Sequence, residues 1–307
     1  MPSPMWRRYL AGILSVRLIV GHRALSLRRH AVQRGHVGEP PSRTVMKQTA
    51  VRNGLHIAYE DVGYGSPAVV LVHGAFGSRS HYAAQIEHLS QQHRVLALDL
   101  RGHGDSDVPQ DGFKLRDYAE DVIAVCEAAG IDRYVLCGHS MPVALIAATH
   151  NPERVAGVAL LDGALLYPES LRSQVLTSLV PALEGAGWVE AMQSYLVGRG
   201  IGPYDSVDLK ARMMAEIATA PAQIAAPLMH DLMTLDFSQF LTGNYPLLYV
   251  HARVPADLTR LKELRPDVLL GSVVGSGHWM MLEVPDQVNA MLDRFLQIVE
   301  SRSLAGE

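Results

Sequence analysis

The chain has 307 residues, 48% of them hydrophobic and 19% charged, with a formal net charge of -4. Those values exclude disorder as the overall state and give no basic footprint for nucleic acid, and they fit one large α/β domain with an insertion. Only two cysteines occur, Cys126 in a helical pattern and Cys137 in an apolar strand, which provides neither a disulfide framework nor metal-ligand spacing. Both read as inert buried thiols, and neither a metal nor a cofactor is expected.

The first 45 residues differ from the rest. They carry Arg7, Arg8, Arg17, Arg23, Arg28, Arg29, Arg34 and Arg43 against a single acid, Glu39. Their apolar run from Tyr9 to Val20 is broken by Arg17 and is too short to span a bilayer. Residues 1–45 are therefore read as an N-terminal extension, either translated leader ahead of Met46 or an Arg-rich, acid-poor targeting peptide. No integral membrane span is expected. The expected location is cytoplasmic, with an organellar or membrane-surface address as the alternative.

From Met46 the pattern alternates strand and helix. The segments 55–62, 68–73, 94–100, 133–138, 155–162, 246–251 and 268–274 are short, apolar and β-rich, as strands covered on both faces should be. Residues 52–54, Arg-Asn-Gly, predict a hairpin turn and so an antiparallel start. Helical patterns at 115–129 and 285–300 predict parallel connections for the remainder.

One segment breaks the alternation. Residues 163–242 hold no convincing strand but show Leu209, Met213 and Ile217 at i, i+4 and i+8, and Trp188, Met192, Tyr195 and Leu196 at similar helical spacing. A structureless loop of that length is implausible in a compact domain, so a helical cap is expected here. The core is then 46–162 together with 243–307. Ordinary packing explains each cap aromatic or methionine singly; together they predict an apolar pocket, with Trp188, Met192 and Met213 as candidate substrate contacts.

The stretch GHSMPV, 138–143, carries the chemistry. An apolar strand runs into Gly138, Ser140 follows, and a helical pattern continues, which is the strand–turn–helix setting of a nucleophile elbow. A helix-capping serine is the plainer reading, and the context favours nucleophile. Such a serine needs a base and oxyanion donors. His278, in a loop between the last strand pattern and the terminal helix, is the candidate base. The backbone N–H groups of Ala75, in a glycine-rich turn after a strand, and of Met141 are the candidate donors. Phe76 and His139 are expected at the pocket wall, and His73 and His103 in structural or wall roles.

Two carboxylates compete to orient His278. Asp257 lies in the loop after strand 246–251, directly before a helical pattern, where an N-cap role also explains it. Asp162 follows the strand next after the elbow and could equally be a turn residue at the cap's entry. Asp162 is preferred and Asp257 is the alternative.

HGAFGS (73–78), DLRGHGDSD (99–107), GHSMP (138–142) and GSGHW (275–279), in that order, resemble the α/β-hydrolase superfamily from Met46 to about Ser301. The resemblance implies a mostly parallel sheet flanked by helices with an inserted cap, and a structural role for Asp99. It also implies a serine hydrolase acting on an ester or lactone of an apolar small molecule. A serine nucleophile argues against dehalogenase and epoxide hydrolase branches, which use aspartate. Zearalenone-type lactonases are one similar branch. The alternatives are C–C bond hydrolysis, hydroxynitrile cleavage or cofactor-free oxygenation on the same scaffold, and a hydrolase-like ligand sensor. A homodimer is left open.

One departure from the family pattern is Pro142, where a second glycine is usual. Proline in a first helical turn forfeits no intrahelical bond, but it pushes Met141 away from the α region and fills a point where helix and strand are expected to pass closely. The elbow should survive with an altered oxyanion hole.

Overall fold

A computed structural model describes residues 46–305. The expectations for residues 1–45 lie outside the described residues. Among the described residues, no helix is long and apolar enough to cross a membrane.

The described chain opens with β1 (Met46–Arg52) and β2 (Leu55–Val62), an antiparallel pair. Asn53 and Gly54 join them with φ of 51° and 82°, the positive angles a two-residue hairpin turn requires. There follow β3 (Ala68–Val72), α1 (Ala83–Leu89), β4 (Val95–Leu98), α2 (Leu115–Ala128), β5 (Tyr134–His139), α3 (Val143–Ala148) and β6 (Val155–Leu161). After β6 come only helices: α4 (Glu169–Gln174), running through a π-helical turn into α5 (Val180–Leu183), then α6 (Trp188–Gly200), α7 (Val207–Thr219) and α8 (Ala225–Thr234). The chain returns to the sheet with β7 (Leu247–His251), α9 (Leu258–Leu264) and β8 (Leu269–Ser272), and closes with α10 (Met280–Glu283) and α11 (Pro285–Ala305).

The eight strands form one sheet in the order β1-β2-β4-β3-β5-β6-β7-β8, antiparallel at β1/β2 and β2/β4 and parallel from there on. Every residue of β3 and β6 is buried, as their unbroken apolar runs require when helices cover both faces. Burying each Val or Leu side chain contributes about 1.5–3 kcal/mol before the entropy of ordering it. This buried middle of the sheet fixes the carboxyl ends of β3, β5 and β6 side by side. The loops that leave those ends carry Ala75, Ser140 and Asp162.

In α7 the i, i+4, i+8 stripe is buried as its spacing predicts: Leu209, Met213 and Ile217 face inward, and Ser206 caps the helix by accepting from the Leu209 N–H at 3.1 Å. The helix is tied to the loop after β3 by polar contacts as well. Glu216 meets His81 at 2.7 Å, and Arg212 donates to Ser80 Oγ at 3.0 Å. His81 and Arg212 together hold the Glu216 carboxyl below its ordinary range despite its burial.

Candidate functional site

Ser140 sits at φ 60°, a left-handed conformation that costs a non-glycine residue about 1–3 kcal/mol and persists only where the surroundings hold it. Those surroundings are visible. The Ser140 N–H donates to Leu161 O at 3.0 Å, and its carbonyl accepts from the Ala164 N–H at 2.6 Å, so the end of β6 clamps the turn on both sides. Gly138 permits the sharp descent into α3, because a Cβ there would lie 2.8 Å from Ala144 Cβ.

Pro142 is the residue before the first turn of α3, with φ -78° and ψ 32°, and its carbonyl accepts from the Ile146 N–H at 3.1 Å. The missing proline N–H therefore removes no helical bond. The tight strand–helix crossing that the sequence assigned to position 142 lies at Gly138 against Ala144.

His278 and Asp162 are 116 positions apart and meet at 2.7 Å, Nδ1 to Oδ2. The same carboxylate accepts backbone N–H groups from the loop after β7: Ala252 at 2.8 Å, Arg253 at 3.0 Å and Val254 at 3.1 Å. Burial pushes the Asp162 carboxyl up, but the hydrogen bond and charge of His278 and the donors from Ala252 and Arg253 outweigh it, and the group stays below the ordinary carboxylate range. An ionised Asp162 accepts the Nδ1–H of His278 and so fixes the orientation of its ring. Asp257, by contrast, is the N-cap of α9 and accepts from the Arg260 N–H at 2.9 Å. Its carboxylate is spent on the helix end.

The His278 backbone is held from two directions. Its N–H donates to Gly200 O at 2.7 Å, and its carbonyl accepts from His139 Nε2 at 2.9 Å. Asp205, between α6 and α7, accepts the Gly277 N–H at 2.7 Å and the Gly202 N–H at 2.8 Å. A side chain at Gly277 would lie 2.2 Å from Gly200 O, so only glycine lets the two segments approach. The sequence offered no sign of this clamp, since an aspartate in a loop is common and its two glycine donors are 72 and 3 positions away.

Three further histidines surround the site in neutral form. His73 Nδ1 donates to Gly74 O at 2.8 Å while Nε2 accepts from the Leu100 N–H at 2.9 Å. His103 repeats the arrangement, donating to Arg101 O at 2.8 Å and accepting from the Phe76 N–H at 3.1 Å. Burial drives all three down, His73 and His139 well below the ordinary imidazole value and His103 to about 4. His73 and His103 thereby staple the loop after β3 to the loop after β4. Asp99 anchors the latter, accepting from the N–H groups of Arg79 at 2.7 Å and Asp105 at 2.9 Å and pairing with the Arg79 guanidinium.

Ser140, His278, Ala75 and Met141 open onto one cavity of about 60 Å³, closed by Tyr167, Leu171, Tyr195, Leu196, Leu228, Met229 and Leu232. Arg199 and Arg253 complete its edge with Gly200, Val254 and Pro255. Larger depressions of about 690 and 760 Å³ lie elsewhere and touch neither Ser140 nor His278. The chemistry of the small cavity, not its size, makes it the candidate site.

The expected wall residues need correction. Phe76, His139, Trp188, Met192 and Met213 do not line this cavity. Phe76 is buried, and its N–H is taken by His103. His139 is buried behind His278, the two rings 4.4 Å apart. Trp188 borders the 760 Å³ depression, and Met192 and Met213 are packed in the interior. The stripe divides along α6: Trp188 and Met192 are packed away from the cavity, while its later members Tyr195 and Leu196 line it together with α8.

Among the described residues, no group of three or more His, Cys, Asp or Glu side chains could hold a metal ion. Cys126 and Cys137 are both free thiols, and burial pushes each up to about 12.

Comparison with known proteins agrees with this architecture. The chain is 29% identical over 253 residues to the dihydrolipoyllysine-residue acetyltransferase component of the acetoin cleaving system of Pseudomonas putida, covering 78% of this chain and 66% of that protein. It is 25% identical over 253 residues to 2-(acetamidomethylene)succinate hydrolase of Mesorhizobium japonicum, covering 75% of this chain and 88% of that protein. A thermophilic esterase from Thermogutta terrifontis superimposes with a TM-score of 0.71 at 22% identity, covering 83% of this chain and 99% of that chain. Residues 67–285 match the alpha/beta hydrolase fold family, and the chain belongs to it.

Proposed function

We propose that the protein is a serine hydrolase that cleaves a carboxylic ester or lactone through an acyl-enzyme, with an apolar part of the substrate in the cavity. Ser140 is the nucleophile, His278 the base and Asp162 the orienting acid. The observation that carries the reading is the Asp162–His278 contact at 2.7 Å, which orients the imidazole of a histidine lining the same cavity as Ser140.

Ser140 Oγ attacks the carbonyl carbon as its proton passes to His278 Nε2. The oxyanion takes hydrogen bonds from the backbone N–H groups of Ala75 and Met141. Collapse expels the alkoxide, which receives the proton from His278. Water then repeats the sequence, its proton going to His278 and its oxygen to the acyl carbon, and the acid leaves. Asp162 stabilises the imidazolium at each passage and stays ionised, consistent with its lowered pKa.

The activities of the relatives, an acetyltransferase component and a hydrolase, and of the structural neighbour, an esterase, are compatible with acyl transfer. The test is steady-state hydrolysis of p-nitrophenyl acetate and butyrate by wild type and Ser140→Ala. Loss of kcat by several orders of magnitude with an unchanged melting temperature is expected. A variant with near wild-type kcat would remove Ser140 from the chemistry.

A further inference from the structure

We propose that the preferred substrate bears a carboxylate, held by Arg199 and Arg253 at the edge of the cavity while its ester bond lies against Ser140. The inference rests on the hydrolase reading above and adds the charge of the substrate. Of the 16 residues that line the cavity, two are arginines and none is an acid. Both arginines are exposed, so the charge lies where the cavity meets solvent.

The plainer reading is that they close the C-terminal end of α6, whose last carbonyls favour positive charge. The hydrogen bonds show how much that role uses. Arg253 spends Nε on Arg199 O at 3.2 Å, and its Nη groups have no acceptor among the described residues. Arg199 lies over the Tyr195 ring at 5.2 Å and makes a 3.4 Å contact with Gln174 Oε1. Neither has a carboxylate partner among the described residues, although the structure pairs other arginines closely, as at Arg94 with Asp61 at 2.7 Å and Arg101 with Asp121 at 2.6 Å. The Arg253 guanidinium rests on the backbone carbonyl of Arg199, both side chains border the same cavity, and donors to spare on them suit an anion such as carboxylate. The backbone N–H of Arg253 is fixed on Asp162, which sets the root of that side chain beside the His278 pair. An anionic group bound there helps to orient the ester.

The experiment compares mono-p-nitrophenyl succinate, glutarate and adipate with the uncharged p-nitrophenyl butyrate, valerate and hexanoate. Wild type should favour one charged ester over its neutral counterpart by about tenfold in kcat/KM, and the preference should shrink as salt rises. Arg199→Gln and Arg253→Gln should each reduce kcat/KM for the charged ester several-fold more than for the neutral one, and Arg253→Lys should keep part of the preference. Melting temperatures identify variants that fail to fold. A neutral ester equal or superior at every chain length, or variants that lower both series alike, would overturn the inference while Ser140-dependent turnover of the neutral esters left the hydrolase reading standing. If no ester is turned over, the hydrolase reading fails, and calorimetry with glutarate decides this inference separately: binding to wild type that weakens in the variants supports it, and equal or absent binding overturns it.

Discussion

Replacing Asp162 with asparagine changes one atom and separates the two candidate acids. The carboxylate accepts the Nδ1 proton of His278 at 2.7 Å on Oδ2, and the backbone N–H of Ala252 at 2.8 Å on Oδ1. An amide supplies one acceptor. With NH2 toward His278, two donors oppose each other and the imidazole must move its proton to Nε2, which can then no longer accept from Ser140. With NH2 toward the loop after β7, the Ala252 N–H loses its acceptor, at about 1.5–3 kcal/mol for a bond to a charged group, and Arg253 and Val254 keep only Oδ2 at 3.1 Å. Either way the imidazolium formed during acylation loses its counter-charge, and kcat should fall by about 10⁴. Asp257→Asn removes only a helix cap that asparagine replaces well, so kcat should change by no more than a few-fold. The assay is p-nitrophenyl butyrate hydrolysis at pH 7 on variants shown to be folded by circular dichroism. Because the Asp162 pKa is lowered in the folded state, its stabilising contribution is present above the unfolded value of about 3.9 and lost as pH falls through the folded value. The stability gap between wild type and Asp162→Asn should accordingly narrow below about pH 4. A larger loss in Asp257→Asn, or an Asp162→Asn enzyme within tenfold of wild type, would refute the assignment.

Three further outcomes follow from the same geometry. Asp205→Ala should lower kcat on p-nitrophenyl acetate by about ten- to a hundredfold with a smaller change in KM, since it frees the Gly277 N–H beside His278; a change confined to KM would show that the clamp does not position the histidine. Pro142→Gly should keep or raise kcat, because the proline forfeits no helical bond and glycine relaxes Met141, whereas a folded variant with most of its kcat lost would make the proline a functional element. Acidification should destabilise the fold before any carboxylate titrates: His73, His103 and His139 stay neutral when folded but take up protons when unfolded below about pH 6.5. With three protons taken up, unfolding free energy should drop by about 4 kcal/mol per pH unit between pH 6 and 5; an unfolding free energy that is flat over that range would show that the buried histidines are charged in the fold.

Local sequence encodes some of this site and not the rest. Ser140 was legible because strand, glycine, serine and helix occupy one short stretch, and His278 because a histidine between the last strand and last helix can reach only the same sheet edge. Reading the chain preferred Asp162 but left Asp257 as the alternative. What distinguishes them is that the loop after β7 turns its backbone N–H groups onto Asp162, a relation spanning 90 positions. The cap's periodicity marked Met192 and Met213 correctly as one face of each helix but could not say which surface that face meets. Packing against the core claimed those two methionines, and the cavity is lined by Tyr195 and Leu196 of the same α6 stripe, by Arg199 and by α8. Arg199 and Arg253 escaped notice for a related reason: as isolated arginines they look like ordinary surface charge, and only the fold shows that they share a cavity edge without acids.

The nucleophile assignment is tested most directly by intact mass after reaction with a fluorophosphonate probe, followed by peptide mapping. One adduct per chain is expected, located on Ser140, absent from Ser140→Ala and formed far more slowly in His278→Ala. Labelling at another residue, or wild-type enzyme that hydrolyses esters yet stays unlabelled at Ser140, would contradict the account.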